Sequence, residues 1–163
     1  MNLKSTLLAT ALLAAGAAPA FAATGFVDFN VNITIVKACN VSAVTDVAFG
    51  SSVASTAVNT DAIGGLSVTC TLLTPYTVSL NNGLTGTSVS NREMKDAGAT
   101  YFVPYQLYQD LLHTSVWGST VGTNTLAGTG TGLAVPVPVY GRVPSANFPA
   151  GTYSDVVRAT ITY

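Results

Sequence analysis

From Gly25 to Ile35 the chain alternates without a break. The odd positions are Gly25, Val27, Phe29, Val31, Ile33 and Ile35; the even ones are Phe26, Asp28, Asn30, Asn32 and Thr34. Side chains two apart on an extended chain share a face, so this pattern encodes a strand with one apolar face and one mostly polar face. It is also long, since strands commonly run to about 5–6 residues. The apolar face carries no charge, and an uncharged strand of this length left on a sheet edge is a template for pairing with other chains. Two placements satisfy it. It is the first strand of the chain's own sheet, or it adds itself to an open sheet of another molecule, where main-chain hydrogen bonds give affinity and alternate side chains set the register.

The segment before it reads as an export leader. Lys4 precedes an apolar run from Leu7 to Ala15, and small residues follow up to Ala20-Phe21-Ala22. A basic start, a short apolar core and an A-x-A exit are the parts of a signal peptide, here over residues 1–22 with cleavage between Ala22 and Ala23. The apolar core is too short for the ~20 residues of a spanning helix. About 140 residues remain, enough for one domain with its own core. They hold five basic and seven acidic side chains. So few charges exclude a nucleic-acid surface, which needs clustered Lys and Arg. There is no basic amphipathic helix to lie on a membrane.

Two cysteines, Cys39 and Cys70, are read as one disulfide of an exported chain. One histidine and two widely spaced cysteines do not make a zinc site, and no cofactor is expected.

The rest of the chain reads as β-structure. Val, Thr, Gly and Tyr abound, and the charges that mark amphipathic helices are missing. Strands are expected over 66–73, 76–80, 84–89 after the Asn82-Gly83 turn, 101–107, 133–140 and 153–163. Pro104, Pro136 and Pro138 place their strands at edges, bulges or ends. The Gly/Thr-rich stretch 118–132 is expected to be a loop. Several short strands with frequent turns predict a β-sandwich of one domain.

Signals of catalysis are weak. His113 is the only histidine, and no G-x-S-x-G elbow frames a serine. It is expected to be a surface or loop residue. Glu93 and Asp96 adjoin Arg92 and Lys95 and read as a solvated, self-neutralised turn rather than a carboxylate pair. No phosphate-binding glycine loop or dinucleotide fingerprint is present. The chain is therefore not expected to be an enzyme or to take a small-molecule substrate.

In order and spacing, a set of short pieces resembles the spore coat protein U domain family, which includes the Csu-type subunits of archaic chaperone–usher pili. The pieces are Ala23-Thr24-Gly25 with the alternating strand, Cys39, Leu66-Ser67-Val68-Thr69-Cys70, Tyr76-Thr77-Val78-Ser79-Leu80, Arg92-x-Met94, Tyr105-x-Leu107-Tyr108-x-Asp110, Trp117-Gly118, Tyr140-Gly141-x-Val143-Pro144, Gly151-x-Tyr153-x-Asp155 and Thr160-Ile161-Thr162-Tyr163. The resemblance implies an incomplete immunoglobulin-like sandwich lacking its last strand. In that family a periplasmic chaperone fills the gap, and the N-terminal strand of the next subunit then replaces it. Carried onto this chain, residues 23–36 are the donor strand, with Val27, Phe29, Val31, Ile33 and Ile35 entering the groove. Residues 37–163 are the pilin domain, its groove bordered by Val157, Ala159, Ile161 and Tyr163. The implied partners are related pilins, a periplasmic chaperone and an outer-membrane usher. The implied place is the cell surface, reached through the periplasm, and the implied role is a shaft subunit in adhesion and biofilm formation. A secreted coat or matrix protein of the same family is the alternative. A small outer-membrane barrel is a weaker one, since prolines within strands and a disulfide suit it poorly.

Overall fold

A computed structural model describes residues 21–51 and 53–163. The segment expected to be an export leader lies almost wholly in residues 1–20, outside the described residues. The chain divides into two units, Met1–Thr34 and Ile35–Tyr163. In the first, residues 21–34 belong to no strand, and Val27, Phe29, Val31 and Ile33 are 82–85% exposed.

The second unit is all-β among the described residues. Its strands are β1 (Cys39–Thr45), β2 (Thr60–Cys70), β3 (Pro75–Leu80), β4 (Arg92–Asp96), β5 (Phe102–Tyr108), β6 (Leu126–Thr129), β7 (Ala134–Val143), β8 (Tyr153–Ser154) and β9 (Ala159–Thr162). They form a six-stranded sheet, β1-β2-β7-β5-β4-β8, and a three-stranded sheet, β6-β3-β9, with every pairing antiparallel. Alternate residues of both sheets turn inward, as period two requires. Leu66 and Val68, Val137 and Val139, Val103 and Leu107 meet Tyr76, Val78 and Leu80 in one core. Trp117, wholly buried, donates from Nε1 to the Val78 carbonyl at 2.9 Å, so its one polar atom is satisfied. Both sheets keep free edges around one shared core, which is an incomplete immunoglobulin-like sandwich and not the closed ladder of a barrel.

Several strand readings are corrected. Residues 84–89 form turns, because side chains occupy the backbone groups a ladder would need: Asn82 Nδ2 donates to the Gly86 carbonyl, and Leu84 N donates to Asp155 Oδ1 at 2.9 Å. The strand that follows is β4, and its Arg92 points into the core instead of neutralising a surface turn. Leu126–Thr129 inside the expected loop is β6, paired with β3 although its glycine hides the alternation. The reading of 153–163 as one strand fails at residues 155–158, which separate β8 from β9 in different sheets.

The prolines are more instructive. β5 and β7 are interior strands by sheet order, yet they pair with each other only over Gln106–Tyr108 and Tyr140–Arg142. Pro104, Pro136 and Pro138 lie outside that stretch, where one side of the strand has no ladder to break. The edge rule holds locally although the strands are central.

Candidate functional site

Two of the free edges flank the same face of the core. β1 closes one end of the large sheet and β9 one end of the small one, and no ladder joins them. Their closest Cα atoms come within 8 Å. Neither CNVSAVT nor ATIT holds a proline or a charge. The proline-bearing half of β7 is guarded in the way sheet edges usually are; β1 and β9 are not.

Apolar side chains line the gap from both sides. Val41 from β1 and Val47 and Phe49 just beyond it are half-buried against the core, and so are Val157, Ala159 and Ile161. Glycines permit this close packing. A Cβ on Gly64 of β2 would lie 2.7 Å from Val47 Cγ2, and one on Gly141 of β7 would lie 2.9 Å from Phe49 Cζ. Beside the segment after β1 lies an open cleft of about 660 Å³, lined by Val47, Phe49, Met94, Val103, Phe148 and Tyr153 among others; no residue of β1 or β9 lines it.

Side-chain bonds fix the approach to β9. Arg158 N donates to Asn81 Oδ1 at 2.9 Å, and Asn81 N donates to the Arg158 carbonyl at 3.1 Å. The Tyr105 hydroxyl donates to Asp155 Oδ2 at 2.6 Å; burial and that bond together hold its proton far more tightly than a free phenol's. Gly83, at φ +83°, leaves room for the Asp155 carboxylate, which a Cβ there would strike. The groove border is thus tied to both sheets without belonging to a ladder over residues 155–158.

Of the residues expected at that border, Val157, Ala159 and Ile161 face the core, while Tyr163 is 57% exposed at the chain end. Val41 of β1, and Val47 and Phe49 after it, escape the sequence reading, although the alternation Val41, Ala43, then Val47, Phe49 carried a signal. The Cys39–Cys70 disulfide joins β1 to β2 at paired positions. His113 lies on a loop, but its side chain is only 5% exposed. Asp110 closes that loop by accepting from Thr114 N and Ser115 N, and the imidazole packs edge-on against Tyr108 at 5.0 Å and near Tyr140 at 6.5 Å. Asp61 Oδ1, 3.9 Å from its Nε2, is already held by Arg142 through two bonds of 2.6 and 2.7 Å to the Asp61 carboxylate. Its surroundings are those of a packing residue.

Residues 26–160 match the Spore Coat Protein U domain. Protein U of Myxococcus xanthus is 38% identical over 180 aligned positions, which cover 100% of both chains. Among solved structures, the chaperone–tip adhesion subunit pre-assembly complex CsuC–CsuE, from archaic chaperone–usher Csu pili of Acinetobacter baumannii, contains a similar chain. The TM-score is 0.57 at 25% identity, over 80% of this chain and 40% of that one.

Proposed function

The chain belongs to the spore coat protein U domain family, and on that premise we propose that it is a structural subunit of a chaperone–usher-type pilus which polymerises by strand donation. In this reading residues 1–22 are removed on export, residues 23–36 are the donor strand and residues 37–163 receive the strand of a neighbour. One observation carries it: β1 and β9 are adjacent, unjoined, uncharged edges whose Val41, Ala159 and Ile161 are only part-buried against the core. A strand offering Val27, Phe29, Val31, Ile33 and Ile35 on one face supplies what that gap lacks.

Geometry adds a condition. A strand hydrogen-bonded on both sides needs edges about 9.5 Å apart, two ladder spacings. At their closest, β1 and β9 are within 8 Å, so entry of the strand moves them apart. A periplasmic chaperone that holds the groove open, and an outer-membrane usher at which exchange occurs, fit this requirement. The likeness to a chain of the CsuC–CsuE chaperone–subunit complex supports the chaperone and pilin partners. A chain with both a strand to give and a gap to fill continues a fibre in both directions, which favours a shaft position at the cell surface. Adhesion and biofilm formation follow as roles of the fibre. The likeness to Protein U favours a second reading, a coat or matrix protein assembled by the same exchange; loss of export in a strain lacking the chaperone distinguishes the pilus.

The test is Phe29→Asp or Ile33→Asp, which forces a carboxylate into an apolar groove. Either variant is expected to be exported and folded but to form no fibres. Undiminished fibre yield would refute the assigned donor face.

A further inference from the structure

Leu73 occupies a backbone conformation that suits glycine. It is the third residue of a turn closed by Thr74 N donating to the Thr71 carbonyl at 3.0 Å, with φ at +60°. That position of a turn favours Gly or Asn, because a left-handed backbone crowds any larger side chain. The strain gains no burial in return, since Leu73 is 76% exposed. Its neighbour Leu72 is 64% exposed, and Leu133 is 73% exposed. The two loops that carry them are tied together: Leu73 N donates to the Gly130 carbonyl at 2.8 Å, Gly130 N to Thr74 O at 2.8 Å and Gly132 N to Cys70 O at 3.0 Å. Residues 71–74 and 130–133 contain no charge. A residue that breaks a local rule and buries no side chain in return is where a contact outside its own fold is sought first.

The N-terminal segment departs from the same turn. Thr71 N donates to the Ala38 carbonyl at 2.9 Å, Thr71 Oγ1 donates to the Val36 carbonyl at 3.1 Å, and Ala38 N donates back to Thr71 Oγ1 at 3.1 Å. The apolar donor face ends at Ile35, the residue next to this anchor. A residue spans at most about 3.3–3.6 Å of extended chain. A recipient that holds Ile35 in its groove therefore stands directly against the turn.

We infer that Leu72, Leu73 and Leu133 form a second contact surface, covered by the copy of this chain that accepts the N-terminal strand. The inference rests on strand donation as proposed above. The contact makes capture of the strand and docking of the two domains one event, and it stiffens the joint between subunits.

The test compares fibres of the full chain with those of Leu73→Asn and of the combined Leu72→Ser, Leu73→Asn, Leu133→Ser variant. Each substitution set is also placed in a Phe29→Asp background, which keeps the chain unpolymerised. There, Leu73→Asn is expected to leave the melting temperature unchanged or raised, because Asn tolerates the left-handed backbone. A synthetic peptide of residues 23–35 is expected to bind the Phe29→Asp chain equally well with and without the leucine changes. In the full chain, the combined variant is expected to lower the fibre fraction by about ten-fold or more, as removal of a buried apolar contact does. Equal fibre yield and stiffness with peptide binding retained would overturn the second contact. Fibres without any peptide binding would overturn strand donation, and this inference with it.

Discussion

Arg92 and Trp117 are both wholly buried, and the guanidinium donates to the Trp117 carbonyl at 2.8 Å. The same group donates to the carbonyls of Asn81 at 2.8 Å, Leu80 at 3.3 Å and Val89 at 3.2 Å, and to Gln106 Oε1 at 3.1 Å. One cation thus gathers the end of β3, the turns before β4 and the loop that carries Trp117. Burial lowers its pKa, but an arginine stays charged throughout.

Replacing Arg92 with Met leaves those carbonyls without partners, each at a cost of about 1–3 kcal/mol. A loss of about 3–5 kcal/mol is expected in urea unfolding, in line with removal of one partner from a buried polar cluster. Arg92→Lys keeps the charge, reaches fewer carbonyls and is expected to fall between. A change under about 1 kcal/mol for Arg92→Met would show that the loops hold themselves.

Arg92 also marks what the sequence could tell. Next to Glu93 and Lys95 it looks like a member of a charged surface turn, because a linear reading cannot see that strand parity turns it inward. Alternation was legible wherever one face meets water and the other the core, as in Tyr76–Leu80 and Phe102–Tyr108. It was illegible in Leu126–Thr129, where a glycine replaces a core side chain, and in Arg158, whose N–H bonds the Asn81 side chain and whose carbonyl bonds the Asn81 N–H, outside any ladder. The border residues Val157, Ala159 and Ile161 were readable by the same period. Val47 and Phe49 alternate as well, but the surface they pack on is made by the absent side chains of Gly64 and Gly141 on other strands, which a linear reading does not bring together.

The disulfide closes a loop of 31 residues between β1 and β2. In the chain-entropy account a loop of that size is worth about 3–4 kcal/mol. Cys39→Ser with Cys70→Ser is expected to lower unfolding stability by that amount and to reduce the exported yield. Because β1 borders the groove, the reduced protein is also expected to bind the 23–35 peptide more weakly. Equal yield and stability would contradict a structural bridge.

Three carboxyls lie below the usual aspartate range: Asp61 through its bonds from Arg142, Asp96 through the Tyr101 amide first, and Asp110 through the Thr114 amide first. The unfolded chain takes up these protons as pH falls through about 4, while the folded chain takes them up only below that. The stability is therefore present above about pH 4 and is lost as pH falls through the depressed folded values. The melting temperature is expected to drop between about pH 4 and pH 2, and Asp110→Asn to flatten that drop. A melting temperature that stays level across this interval would contradict the arrangement.

Strand donation itself is tested most directly by removing the strand. The exported chain is expected to migrate as an SDS-resistant ladder that collapses on boiling, and the chain lacking residues 23–35 is expected to run as a folded single subunit. Adding the 23–35 peptide should then raise the melting temperature of that shortened subunit, because the peptide completes the core between β1 and β9. A ladder from the shortened chain, or a melting temperature unmoved by the peptide, would contradict the account.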